Sequence, residues 1–108
     1  MEFAKLPNEY DGKENKIVSK MLEVLRLALE INPPEIKGIG KKKTAIFVEW
    51  MPHVSSLDVR IFKNGWTENN EYDEMYSVYG DWEEASEKLD KIIARLYEIK
   101  EEEDNEAV

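Results

Sequence analysis

Four carboxylates crowd one short stretch of this chain: Glu68, Glu71, Asp73 and Glu74. Carboxylates so placed have three uses. They can share protons in acid–base catalysis, hold a divalent cation, or steer a positively charged partner. Hydrolysis by a carboxylate pair needs two groups held across a cleft in unlike environments. These four are neighbours on one segment. A calcium loop needs ligands at alternate positions around an obligatory glycine, and the run TENNEYDE, residues 67–74, has none. Steering is the use that remains.

The other reactive residue types are sparse. His53 is the single histidine, set between Pro52 and Val54, and the chain has no cysteine. That removes disulfides, thiol catalysis and every cysteine-ligated metal site. Ser55-Ser56 lacks the pattern of a nucleophile elbow. Gly40-Lys41 falls short of a phosphate loop, because Lys42 stands where Ser or Thr must meet magnesium and the segment leads into a strand. The residues therefore predict a non-enzyme with no catalytic residue, no cofactor and no metal site.

Aromatic rings stand among the acids. The stretch KNGWTENNEYDE, residues 63–74, joins a hairpin signal, Asn64-Gly65, to Trp66 and Tyr72, and Tyr76 lies just beyond it. Tyr and Trp offer large, stiff contact area with a polar handle and are enriched where partners bind most tightly. Acids around them speed encounter with a basic partner. The candidate partner-binding residues are thus Trp66, Glu68, Glu71, Tyr72, Asp73, Glu74 and Tyr76. An ordinary exposed strand with solvated acids accounts for the same residues and is the commoner case.

Something must position this stretch. The 108 residues fit a single domain spanning 1–108, and 42% apolar with 36% charged residues is a globular composition. The net charge is −9, but residues 101–108, EEEDNEAV, hold five acids and no base, so without them 19 acids face 15 bases. No basic face is evident, which disfavours direct nucleic-acid binding and anionic membranes. No apolar run approaches the ~20 residues of a bilayer span or forms a signal-peptide core, so a cytoplasmic location is expected.

Residues 1–13 read as an irregular arm, with Pro7, Asn8, Asp11 and Gly12 as loop formers and Phe3, Leu6 and Tyr10 able to pin it to the body. A helix is predicted from about Glu14 to Ile31, stopped by Asn32-Pro33-Pro34. Its apolar residues fall on two adjacent rows, 17-21-24-28-31 and 18-22-25-29, a stripe wider than one sheet requires. The second helix, the arm or another copy of the chain should cover the excess. Three strands come next, over 44–51, 54–62 and about 71–79. The first turns Ile46, Val48 and Trp50 inward, and the second Leu57, Val59 and Ile61. In the third, Tyr76 and Val78 compete with Met75 and Tyr79 for the core. A last helix is predicted from a capping box, Asp81 with Glu84, onward, its acidic end at 101–108 frayed by an unfavourable dipole.

The fold class is therefore α+β, a two-layer α-β-β-β-α arrangement with a three-stranded antiparallel sheet and two helices on one face. Phe47 and Phe62 lie on the other face, beside Glu49, Asp58 and Arg60. In size, charge and element order the chain resembles compact acidic toxin-immunity proteins and phage-encoded inhibitors such as anti-CRISPRs. That likeness carries no residue over. The expected function is a non-enzymatic inhibitor or immunity-type module that occupies a basic surface of a protein partner. A homo-oligomeric structural or assembly component of phage or bacterial origin, pairing through the first helix or the Phe47/Phe62 face, is the alternative. A DNA mimic ranks third, because about half the excess charge sits in the tail.

Overall fold

The computed structural model describes residues 12–34 and 44–106. The element order is α1 (Gly12–Ile31), β1 (Ala45–Met51), β2 (Ser56–Phe62), β3 (Glu74–Tyr79) and α2 (Ala85–Glu106), as the apolar periodicities require. The strands form one antiparallel sheet in the order β1-β2-β3. The expected α+β architecture is the one observed. The arm at 1–11 and most of the connector before β1 lie outside the described residues.

Side-chain alternation sorts the sheet into two faces. Leu57, Val59 and Ile61 of β2 and Val78 of β3 are buried against both helices, with Ile46, Val48 and Tyr76 packed beside them. The register explains the set. Val59 lies opposite Val48 on one side and Tyr76 on the other. This settles the competition in β3, where Tyr76 and Val78 face the helices and Met75 and Tyr79 the other side. The helices meet the sheet with Val24, Leu27 and Ile31 of α1 and Leu89, Ile92, Leu96 and Ile99 of α2. The spacing of three and four places each set on one stripe.

The two rows of α1 have different fates. Ile17, Val24, Ala28 and Ile31 of the first row are buried, whereas Leu22, Leu25 and Leu29 of the second remain exposed. α2 covers only one side of the over-wide stripe.

Several boundaries differ from the sequence reading, each for a local reason. α1 begins at Gly12, so Gly12 and Lys13 belong to the helix rather than the arm. The hairpin between β1 and β2 takes residues 52–55, with Ser55 at φ 55°, so β2 starts at Ser56 rather than Val54. The expected capping box at Asp81 is replaced by a turn. Trp82 donates its N–H to the Tyr79 carbonyl and stacks on the Tyr79 ring at 4.4 Å, and α2 starts at Ala85 with Lys88 N–H bonded to the Glu84 carbonyl. Lys88 Nζ sits 4.4 Å from the Trp82 ring centroid, a cation–π contact that favours the turn. At the other end α2 continues to Glu106, through most of the acidic run expected to fray. One of its acids is tied down: Glu103 Oε1 accepts the Thr44 N–H at 2.9 Å.

Candidate functional site

The link between β2 and β3 carries most of the candidate residues. It turns sharply at Gly65, whose φ of 85° suits a residue without a Cβ. Its N–H returns to the Phe62 carbonyl. Asn70 then organises the middle of the loop. Its Oδ1 accepts the Thr67 N–H at 2.7 Å, and its Nδ2 donates to the Gly65 carbonyl at 2.9 Å. Asn69 and Asn70 thus belong to the loop and not to β3. Asp73 closes the segment. Its N–H bonds the Ile61 carbonyl, and its Oδ2 accepts the Lys63 N–H at 2.7 Å. β3 consequently begins at Glu74, three residues later than expected.

This bracing leaves side chains free on the outside. Trp66 is 48% exposed and Tyr72 49%, with Glu68, Glu71 and Asp73 also exposed. Trp66 leans over the sheet face that the helices do not cover. Its ring centroid is 6.3 Å from Phe47, which packs on Phe62 at 5.2 Å. Phe62 is buried beneath these rings, and Phe47 is half-exposed. The sequence offers the aromatic stretch and the Phe47/Phe62 pair as separate features. Antiparallel pairing of β1 and β2, with Phe47 opposite Arg60 and Ala45 opposite Phe62, makes them one surface.

The same face is partly charged. Arg60 reaches Glu49 across the strands at 3.3 Å, an exposed pair of small energetic weight. Asp58, outward and solvated by its place in the alternation, does lie on that face but is buried, its Oδ1 accepting the Ser56 hydroxyl at 2.9 Å. A hollow of about 250 Å³ opens among Phe47, Glu49, Asp58 and Arg60.

Glu74 and Tyr76 part company with the other five candidates. Both point toward the helices. Arg95 of α2 grips Glu74 with Nε and Nη2 at 2.8 and 2.7 Å, and the Tyr76 hydroxyl donates to Glu74 Oε1 at 2.6 Å. A bidentate guanidinium–carboxylate pair of this kind is strong and directional. It fastens the start of β3 to α2 and so fixes the base of the loop. The bonded Arg95 holds the Glu74 carboxyl down at about 2, and the same carboxylate raises the Tyr76 phenol.

The strength of this pair can be read from stability. The folded Glu74 pKa lies below the ordinary 4.5, so folding gains from its charged form above pH 4.5 and loses that gain as pH falls toward 2. The contribution is on the order of 2 kcal/mol, reduced from the bare shift because the pair is partly solvated. Urea unfolding of the wild type and Glu74→Gln at a series of pH values checks it. The stability gap between them should be full at pH 7 and narrow below pH 4. A gap independent of pH would show that the ion pair contributes nothing.

Sequence reasoning missed one further feature. An apolar groove of about 590 Å³ runs between the middle of α1 and β1, with Val18, Leu22 and Leu25 on one wall and Val48 and Trp50 on the other. The over-wide stripe was its signal. Trp50, expected inward, instead stands half-exposed at this edge.

Among the described residues, no three His, Cys, Asp or Glu side chains are grouped to hold a metal ion, and no helix is long and apolar enough to cross a membrane. Comparison with protein-family models, curated proteins and solved structures found no match to this chain.

Proposed function

We propose that this chain is a non-enzymatic binding protein whose acidic aromatic surface occupies a basic patch on a protein partner, in the manner of an inhibitor or immunity module. The observation that carries this reading is the continuity of Trp66 with Phe47 and Phe62, on a loop that also exposes Tyr72, Glu68, Glu71 and Asp73. Aromatic anchors at the centre and charges at the rim are the anatomy of a protein interface. The braced loop supports it further. Rings held in place before contact cost less ordering on binding. Glu74 and Tyr76 serve from beneath, as the anchor of the loop rather than as contacts.

Capture by the immobilised protein from lysate of its source cells, run beside Trp66→Ala and Glu71→Lys, is the test. A basic protein retained saturably by the wild type, lost on Trp66→Ala and recovered more slowly by Glu71→Lys supports the reading. The Glu71 effect should shrink as salt rises, because exposed charges are screened over ~10 Å at 0.1 M. Equal retention on all three proteins, or no saturable retention, sinks it.

A further inference from the structure

The groove beside α1 borders an open strand edge, and the two together have the form of a self-pairing surface. β1 is an outer strand of the sheet. Its outward backbone groups can be identified from Asn32, the residue after α1. Asn32 Oδ1 accepts the Ile46 N–H at 2.7 Å, and its Nδ2 donates to the Thr44 carbonyl at 2.9 Å. The amide of this one side chain stands in for a neighbouring strand at the start of β1. Strand alternation then turns the N–H and C=O of Val48 and Trp50 the same way. Among the described residues these groups have no partner. Pro52, which has no N–H, ends the window. The open edge is therefore short, from Val48 to Trp50, and lies along the wall of the groove.

We propose that a second copy of this chain occupies this edge, with the two β1 strands antiparallel about a two-fold axis at Glu49. In that register Val48 of one copy faces Trp50 of the other, and each pair exchanges both backbone hydrogen bonds. Ile46 falls opposite the proline. No donor is stranded there, because the Ile46 N–H is already held by Asn32. Trp50 and Val48 share one sheet face, so each Trp50 is brought to the mouth of the other copy's groove. The contact is isologous and closes on itself, as a dimer must.

The area agrees. Leu22, Leu25, Leu29, Trp50 and Val54 are each roughly half-exposed. Of these, Leu22, Leu25 and Trp50 line the groove and leave on the order of 300 Å² of apolar surface there, within the range of the largest and often functional patch on a soluble protein. A stable interface needs ~800 Å² per partner, and the paired strands with the rims of both grooves supply the rest. One feature opposes pairing. Glu49 meets its own copy across the axis, a like-charge juxtaposition that costs stability. Arg60 beside each Glu49 offsets part of it.

The groove and Trp50 lie on the helix side of β1, opposite the Phe47–Trp66 face, so Trp50 variants test this contact separately from partner binding. Sedimentation equilibrium of the full chain over a wide concentration range, at low and high salt, should show a reversible monomer–dimer equilibrium that tightens as salt screens Glu49. Partner binding by charge should weaken under the same change. Trp50→Glu should weaken the dimer at least tenfold while leaving Trp66-dependent binding intact, and the melting temperature measured at concentrations where the parent is monomeric. Glu49→Gln should tighten it severalfold. A monomer at every concentration overturns the proposal, as does a dimer indifferent to Trp50→Glu. A full chain that stays monomeric but dimerises once residues 1–11 are removed also overturns it, since it gives the groove to that segment.

Discussion

Leu27→Ala should lower the folding free energy by ~3–5 kcal/mol, while Leu25→Ala, two residues earlier on the same helix, should cost less than about 1 kcal/mol. Leu27 is 0% exposed and packs in the core shared by both helices and the sheet, whereas Leu25 is 44% exposed on the wall of the groove. Truncating a sealed leucine loses its transfer free energy and leaves a cavity that neighbours fill only in part. Truncating a half-exposed one leaves no cavity. Domains of this size have only ~5–15 kcal/mol in hand, so the Leu27 variant should melt many degrees lower. Thermal and urea unfolding of both variants gives the comparison. It also reports on the groove: a Leu25→Ala cost that grows with protein concentration is what a buried dimer contact produces, because association adds to apparent stability by mass action. Equal costs for the two leucines at low concentration would mean that the division of α1 into a covered and an uncovered row is wrong.

That division shows how far local pattern reaches. Periodicity alone locates both helices and three strands, because a stripe of spacing three and four and an alternation of two are each imposed by backbone geometry. The alternation of Leu57, Val59 and Ile61 identifies the central strand, which is buried by neighbours on both sides. Where local signals compete, tertiary contacts decide. Asp81 and Glu84 have the types and spacing of a capping box, but the stacking of Trp82 on Tyr79 and beneath Lys88 takes those residues for a turn. Glu103 lies in a run of acids that the helix dipole disfavours, yet α2 spans it, and its carboxylate meets a Thr44 N–H that no local reading reveals.

The candidate site divides in the same way. Trp66, Glu68, Glu71 and Tyr72 fall in a loop whose turn residues, Gly65 and Asn70, are legible by type. The side taken by Glu74 and Tyr76 depends on the phase of β3, and that is set by Asp73 bonding Ile61 and by Arg95, 21 residues further on. Acids that look alike in sequence thus do different work. Glu74 is locked to Arg95 and Asp73 closes the loop on the Lys63 N–H, while Glu68 and Glu71 are left at the surface. The joining of Phe47 to Trp66 is a matter of strand register, which no single segment contains.

Trp66→Ala should weaken binding to a captured basic partner by at least ~2 kcal/mol, about thirtyfold in Kd, and should cost only about 1 kcal/mol of stability. The two numbers have separate origins. In the free protein the indole touches Phe47 at 6.3 Å and is otherwise half in water, so its removal forfeits little more than one aromatic contact. At an interface the same ring would lose its remaining water, and truncation would leave a hole facing the partner. Phe47→Ala should show the same pattern with a smaller binding loss, since its exposed fraction, 41%, belongs to a smaller ring. Glu74→Gln should act differently. It removes no contact surface, but it loosens the bidentate hold of Arg95 at the base of the loop. Its effect on binding should therefore track the fall in loop order, readable as faster amide exchange at Thr67 and Asn70. Calorimetric titration with each variant, beside its unfolding curve, separates contact from support. If Trp66→Ala binds as the parent does, or unfolds 3–5 kcal/mol more easily as a core truncation would, the aromatic surface is part of the fold and the partner must be sought elsewhere on the molecule.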